Sequence, residues 1–160
     1  MWKRLLAGPD HPLGNRPFDR DRDVFNASAR LSMILGTGVT ERVLSTVPAA
    51  FHAAVDDVLL TGLALAVTRW RGDGSALLVD VEGHGRDEGL MPGADLTTTV
   101  GWFTSVHPVR LDVGGVDVGD ALRAGTGAGQ AVKAVKEQLR AVPGRDGLRT
   151  AQVPQPRHLG

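Results

Sequence analysis

The sequence predicts a layered α/β domain, because segments with helical and strand-like hydrophobic spacing alternate along the chain. The clearest helical spacing runs over residues 51–70, and apolar runs typical of strands lie at 76–81 and 100–111. A length of 160 residues with 42% hydrophobic residues is sufficient for one packed core.

Composition excludes several classes of function. Lysine plus arginine equals aspartate plus glutamate at 18 each, so the formal net charge is zero. The chain therefore has no excess positive charge that would attract a nucleic acid or an anionic membrane. The absence of cysteine excludes disulfides and thiolate metal sites, and is typical of a cytoplasmic protein. The N-terminus lacks the apolar region of a signal peptide, and no stretch reaches the roughly 18 apolar residues of a membrane span. We therefore expect a cytoplasmic location.

The first part of the chain is predicted to contain a loop, a strand and a short helix. Residues 8–23 are rich in Pro, Gly, Asp and Arg and are typical of a loop, in which the alternating charges of 19–23 neutralise each other. Apolar residues at alternate positions over 28–35 predict a strand. A short helix should begin at Thr40 and end before Pro48.

A long helix is predicted over residues 51–70. Leu60 and Leu65 widen its apolar surface, so we expect it to be buried on more than one side. Residues 71–74, Arg-Gly-Asp-Gly, should end it, since glycine accepts the left-handed backbone of a helix C-terminus. The apolar or small residues at helical spacing are Val55, Val58, Leu59, Gly62, Leu63, Ala66, Val67 and Trp70.

The rest of the chain is predicted as strand, loop, strand and helix. The run at 76–81 is typical of a central strand, residues 83–99 form a charged loop, and 100–111 form a second strand with Pro108 as a candidate break. One further helix should lie within 118–142. Its first half is glycine-rich and weak, because glycine costs roughly 1 kcal/mol relative to alanine in a helix. Its apolar stripe is Val132, Val135, Leu139 and Val142.

Three groups of residues could support catalysis or ligand binding, but a structural role is the favoured interpretation of each. The Gly-x-Gly pieces at 36–38 and 83–85 lack the third glycine of a dinucleotide fingerprint and are interpreted as turns. His52 and Asp56, at i and i+4, could bind a metal or transfer protons, but without a third ligand a hydrogen bond on the helix surface is favoured. Ser105 and His107 should share one face of a strand, and no Gly-x-Ser-x-Gly turn supports a hydrolase.

Glu82 is the sharpest catalytic candidate. It lies where a strand should end, and active sites of layered α/β folds gather at strand ends. Partial desolvation there would raise the pKa of a glutamate and suit it to general acid or base catalysis. Gly83 and Gly85 would allow a thin ligand to approach, and Arg86 could pair with an anion. The alternative, favoured by the residues alone, is a charged β-turn with a local ion pair.

Four segments resemble, in order and rough spacing, the epimerization domains of nonribosomal peptide synthetases. They read VDDVLLTGLALAVTRW, VDVEGHGRDE, TVGWFTSVHPVRLD and AVKEQLRAVP. The resemblance covers about residues 2–143, and its EGHGR and VGWFTS pieces resemble epimerization domains more than the related condensation domains. It implies an α/β fold that is half of a two-lobed structure similar to chloramphenicol acetyltransferase, with a mixed sheet, packed helices and a tunnel between the lobes.

The resemblance also implies a reaction. Such domains invert L to D at the α-carbon of an aminoacyl or peptidyl group that is held as a thioester on a peptidyl carrier protein. The carrier protein supplies the phosphopantetheine arm, and no bound cofactor or metal is implied. Glu82 would be one acid/base group, and the second histidine of a His-His-x-x-x-Asp-Gly motif would be the other. The residues implied to contact substrate or line the tunnel are His84, Arg86, Trp102, Phe103, Thr104 and Ser105.

The histidine motif is missing from this sequence. No His-His pair occurs, and residues 52–56 only imitate the spacing, since Phe51 precedes them and Asp57 stands where glycine should be. We therefore interpret residues 1–143 as the C-terminal subdomain, inactive without a complementary N-terminal half. The alternatives are a non-catalytic relic, a module that docks a carrier protein, or a condensation-type domain that forms amide bonds. Residues 144–160 diverge from the family and should be a flexible tail, as in a truncated or frameshifted reading frame.

Overall fold

The two longest helices pack on one face of a two-stranded sheet in the computed structural model, which describes residues 2–14, 16–74, 76–83, 98–102 and 104–142. The predicted α/β class is confirmed. Its regular elements are α1 (Trp2–Leu6), a 3-10 turn (Phe25–Ala27), α2 (Thr37–Glu41), a π-helical segment (Arg42–Thr46), α3 (Val47–Phe51), α4 (Val55–Arg71), β1 (Leu77–Gly83), β2 (Ser105–Leu111), α5 (Val118–Leu122) and α6 (Thr126–Arg140).

The sheet is an antiparallel pair whose register separates a helix-facing side from an outer side. Leu77 pairs with Leu111 and Val79 with Val109, and these side chains join the core beneath the helices. A mixed sheet was predicted, and the part of it that the described residues contain is this antiparallel pair. The buried core residues besides Leu77, Val109 and Leu111 are Ala64, Leu65, Val67, Val113, Ala121, Ala131, Val135, Leu139 and Val142.

Strand β2 is shorter and more continuous than predicted. It begins at Ser105 rather than at residue 100, and it runs through Pro108, which pairs with Asp80. A proline is tolerated in a strand where its nitrogen faces an edge that needs no hydrogen bond. Within the described residues β2 has β1 as its single partner, so such an edge is present and the predicted break at Pro108 is wrong.

Among the described residues helix α4 is buried along one side, so the expectation of burial on more than one side is wrong. Its first turn is fixed by Asp57, whose Oδ2 accepts a hydrogen bond of 2.7 Å from the Ala54 amide. It ends as predicted at Gly72, which has the left-handed φ of 70°. The buried positions are Asp57, Thr61, Ala64, Leu65, Val67 and Thr68, while Leu59, Gly62, Leu63, Ala66 and Trp70 are exposed.

The helical stretch before α4 is longer than predicted at both ends. It begins at Thr37, where Gly36 is the N-cap rather than part of a turn, and it passes Pro48 before ending at Phe51. A proline lacks the amide donor and crowds the carbonyl four residues earlier. The wider π-helical turns of Arg42–Thr46 include Leu44, whose carbonyl lies four residues before Pro48, so they relieve the crowding and allow the helix to continue.

The predicted strand at 28–35 is absent, because these residues pair with no other strand of the described chain. All of them are exposed, and the segment enters and leaves with extended backbone at Ser28 and Gly36. Alternating apolar residues favour a strand only when a neighbouring strand accepts and donates the backbone hydrogen bonds. Within the part of the chain that the structure describes, this segment has no such neighbour.

The charged loop before it is solvated, as predicted. Arg16 Nη1 donates to Asp23 Oδ2 at 2.8 Å, and the Asp19 amide donates to the same oxygen at 2.8 Å. The hydrogen bond from Arg16, followed by that from Asp19, lowers the pKa of Asp23. Asp23 therefore holds the loop through hydrogen bonds from Asp19, within the run of alternating charges at 19–23, and from Arg16, which precedes that run.

The described residues after β2 form two helices where one was predicted within 118–142. The chain leaves α5 through Ala124, whose φ of 59° interrupts the helix, and α6 then begins at Thr126. Its glycine-rich start is helical because Asp120 Oδ2 accepts the Gly127 amide at 2.8 Å and so caps the helix from outside. The predicted stripe is confirmed, since its four members are buried: Val132, Val135, Leu139 and Val142.

Within the described residues no single helix has the length and hydropathy to cross a membrane. The stretch Thr37–Phe51 and helix α4 meet those criteria only when joined, and they are bent by 102° relative to each other.

We predict opposite effects of Gly127→Ala and Gly62→Ala on stability. A Cβ at Gly127 would lie 2.8 Å from the Asp117 carbonyl oxygen, so overpacking should lower the free energy of unfolding by about 1–3 kcal/mol. A Cβ at the exposed Gly62 meets nothing within 4 Å, so better helix propensity should raise it by roughly 0.5–1 kcal/mol. Urea denaturation measures both, and an unchanged or higher midpoint for Gly127→Ala would contradict the packing argument.

Candidate functional site

Glu82 lies one residue before the end of β1, on the outer side of the sheet. It pairs with Val106, and its neighbours Val81 and Gly83 pair with His107 and Ser105. Because successive side chains of a strand point to opposite faces, Glu82 projects away from the helices that cover Val81. The prediction that this glutamate lies at a strand end is confirmed.

The Glu82 side chain is exposed. The described residues therefore do not supply the partial desolvation that the sequence argument assumed. Asp80, two residues earlier on the same side, is exposed as well. At this end of the sheet, carboxylate groups are accessible to any molecule that approaches from outside.

Ser105 and His107 share the helix-facing side, as their spacing predicted, and are therefore turned away from Glu82. His107 is buried, and Ser105 is half-buried. A Cβ at Gly83 would lie 3.1 Å from Ser105 Oγ, so the neighbour that approaches Gly83 is a side chain of this protein. The structure does not bring the glutamate and the histidine of the two strands together.

The segment before β2 carries exposed apolar side chains. Trp102 is 90% exposed and Thr104 is half-buried. His84, Arg86 and Phe103 lie outside the described residues, as do most of the predicted loop at 83–99 and the predicted tail at 144–160. The roles predicted for all these residues, and for Glu82, stay predictions.

His52 and Asp56 do not share a helix, so the predicted hydrogen-bonding pair at i and i+4 is wrong. His52 has a left-handed φ of 47° and lies at the bend between the two helices, whereas Asp56 is in the first turn of α4. The start of α4 is set by the bond between Asp57 and the Ala54 amide, which leaves His52 outside the helix. Across the described ranges no three His, Asp or Glu residues gather into a group that could hold a metal ion.

Sequence reasoning missed Arg110, which fastens the N-terminal segment to the outer side of the sheet. Its guanidinium donates to three carbonyl oxygens, those of Leu5 at 3.0 Å, Gly8 at 3.2 Å and Pro9 at 2.9 Å. Gly8 fits closely, since a Cβ there would lie 3.0 Å from Arg110 Cζ. The available signal was an arginine between the buried Val109 and Leu111, where five N–H donors need acceptors.

The same N-terminal segment continues along the end of α4. Trp70 Nε1 donates to the Leu13 carbonyl at 3.2 Å, and Arg71 Nη2 donates to the His11 carbonyl. We call residues 5–13 the N-terminal strap. It borders an open groove of about 500 Å³ that is lined by His11, Pro12, Leu13, Gly14, Trp70, Arg71 and Asp73.

The sequence of this chain matches a known protein family. The family model of the condensation domain matches residues 1–148. Chondramide synthase cmdD of Chondromyces crocatus is 45% identical over 85% of the chain, and bacitracin synthase 1 of Bacillus licheniformis is 38% identical over 78% of it. The chain belongs to the condensation-domain family, and it spans only 3% and 2% of the length of these two synthases.

Within that family, a solved structure similar to this chain is an epimerization domain. The epimerization domain from the third module of tyrocidine synthetase B superimposes with a TM-score of 0.57 at 36% identity, covering 71% of this chain and 23% of that one. The predicted resemblance and the predicted fold class are thereby confirmed. The predicted domain boundary at residue 143 stays a prediction.

We predict that Arg110→Ala releases the N-terminal strap. Hydrogen bonds from a charged donor contribute roughly 1.5–3 kcal/mol, so the free energy of unfolding in urea should fall by about that amount. In a chain without residues 1–10 the same substitution should have little effect, because its acceptors are gone. Arg69→Ala, an exposed arginine on α4, is the control and should stay within about 0.5 kcal/mol of the unsubstituted chain. Equal losses in the full and shortened chains would disprove the contact.

Proposed function

We propose that this chain contributes one side of the active site of an epimerase acting on aminoacyl or peptidyl thioesters of a carrier protein. The observation that carries the proposal is the sequence Glu-Gly-His-Gly-Arg, which begins at Glu82 near a strand end. It occurs in a chain of the condensation-domain family that is similar to a solved epimerization domain.

The chemistry requires an acidic α-proton and two groups on opposite sides of the carbon. The thioester acidifies the proton, and a carboxylate can remove it or return it. The exposed Glu82 is accessible to a thioester that arrives from outside the sheet. Inversion then needs a second group that returns the proton to the opposite face.

The second group is proposed to come from a complementary half-domain. The sequence contains no His-His pair, and His107, the histidine within the two strands, is buried on the other side of the sheet. A histidine of a His-His-x-x-x-Asp-Gly motif on the complementary half would face Glu82 across the substrate. On this proposal the isolated chain has no epimerase activity, and docking of the other half excludes water from the glutamate.

The substrate arm belongs to the partner. The carrier protein delivers the phosphopantetheine thioester, and this chain needs no resident cofactor. The tunnel-lining residues proposed among the described part are Trp102, Thr104 and Ser105, of which Trp102 is exposed and available for contact. His84, Arg86 and Phe103 complete the proposed set.

Two other functions are favoured by particular observations. The matching family is described as the condensation domain, which supports amide formation between two carrier-bound groups. The exposed Glu82, turned away from the histidine of its own sheet, supports a module that docks a carrier protein without catalysis. The EGHGR sequence favours epimerization over both, because it supplies a carboxylate for proton transfer.

Loss of an α-deuteron tests the proposal. A carrier protein loaded with an α-deuterated aminoacyl thioester is mixed with the chain, alone and with the N-terminal half of the tyrocidine synthetase B epimerization domain. We expect deuterium loss and a rising D/L ratio only in the complemented sample. Glu82→Gln keeps the shape and removes the base, so the rate should fall by roughly 10²–10⁴-fold.

Asp80→Asn is the matched control, since Asp80 is an exposed carboxylate on the same side of β1, and the rate should stay within a few-fold. Equal losses in both variants would reject a specific role for Glu82. Amide formation with a second loaded carrier, without deuterium loss, would identify a condensation domain. Neither reaction, with the halves associated, would leave carrier docking as the function.

A further inference from the structure

The outer side of the sheet is covered at one end of β2 and open at the other. Helix α1 packs against β2, and Arg110 holds the N-terminal strap against this side. Pro108, two residues before Arg110 on the same side, is buried, whereas Val106 is 48% exposed. The cover over β2 therefore ends between Pro108 and Val106.

Val106 lies directly opposite Glu82 in the register of the two strands. Both side chains point outward, and the Cβ atoms of directly paired residues in antiparallel strands lie about 4.5–5.5 Å apart. The next described strand residues on this side are Asp80, an exposed carboxylate, and Pro108, which is buried. Among the described strand residues, Val106 is thus the exposed apolar side chain beside the candidate base.

Removal of an α-proton brings the side chain of the substrate close to the base. The Glu82 carboxylate must come within about 3 Å of the carbon that carries the proton, and the substrate's side chain is attached to that same carbon. Of the three other groups on the α-carbon, the nitrogen and the thioester carbonyl are polar and are common to every substrate. The side chain is the group that differs, so an exposed apolar surface next to the base suits an apolar side chain.

We propose that Val106 is a specificity-determining residue, which contacts the side chain of the aminoacyl group whose α-proton Glu82 removes. This rests on the proposed function, in which Glu82 is an acid/base group. The class of substrate that it favours has an apolar side chain larger than that of alanine, because the methyl groups of valine offer contact and the space beside them is open. The covered end of β2, at Pro108, limits how far such a side chain can extend toward the strap.

A comparison of two thioesters tests this role. A carrier protein is loaded with α-deuterated alanyl or phenylalanyl thioester, and deuterium loss is followed with the chain and the N-terminal half of the tyrocidine synthetase B epimerization domain. Val106→Phe fills the open space with a ring that strands accommodate, so kcat/KM for phenylalanyl relative to alanyl should fall about ten-fold or more. Val106→Thr keeps the branched shape but adds a hydroxyl, so the same ratio should fall by a smaller factor.

Leu122→Phe is the control, because Leu122 is 52% exposed on α5, which packs against α4 and α6 rather than on the outer side of the sheet. The ratio should be unchanged in this variant. An unchanged ratio in both Val106 variants overturns the specificity role, and so does an equal loss for the two thioesters. Deuterium loss with unchanged ratios rejects this role alone, whereas no deuterium loss from either thioester with the unsubstituted chain rejects the proposed function and this role with it.

Discussion

The register between β1 and β2 is the constraint on which the rest of the structure depends. Pairing Leu77 with Leu111 turns these leucines, Val79 and Val109 toward α4 and α6, and turns Glu82 and Arg110 outward. A slip of one residue would exchange the two faces completely. The core, the attachment of the N-terminal strap and the accessibility of the candidate carboxylate are therefore set by the same ladder of hydrogen bonds.

Helix α6 holds the other elements in position around that ladder. The side chain of Gln138 makes two hydrogen bonds of 2.7 Å to the backbone of Asp112: Oε1 accepts from the Asp112 N–H, and Nε2 donates to the Asp112 carbonyl. These bonds extend the backbone pairing beyond the end of β2. Lys136 Nζ donates to the Phe51 carbonyl at 2.9 Å and fixes the end of α3. Gly129 leaves room for the Phe51 ring at the same junction. The polar positions of α6 thus hold neighbouring segments, while its apolar stripe fills the core.

Sequence patterns predicted what depends on local spacing and failed where distant residues decide. The stripe of α6 and the stop of α4 at Gly72 follow from periodicity and from the backbone freedom of glycine. The helical start of α6 could not be foreseen, because Asp120 of another helix supplies its cap. The segment 28–35 has strand spacing, but no strand pairs with it among the described residues, and spacing alone cannot reveal whether a neighbour is present.

The candidate site shows the same division. The position of Glu82 near a strand end followed from an apolar run meeting Gly83, whereas its exposure depends on what covers the sheet. The tie between Arg110 and the strap joins residues 105 positions apart, which no local pattern encodes. That separation has a consequence for synthesis. At rates on the order of 5–20 residues per second, Leu5 waits roughly 5–20 seconds before Arg110 has been made. The N-terminal strap therefore joins the folded structure late.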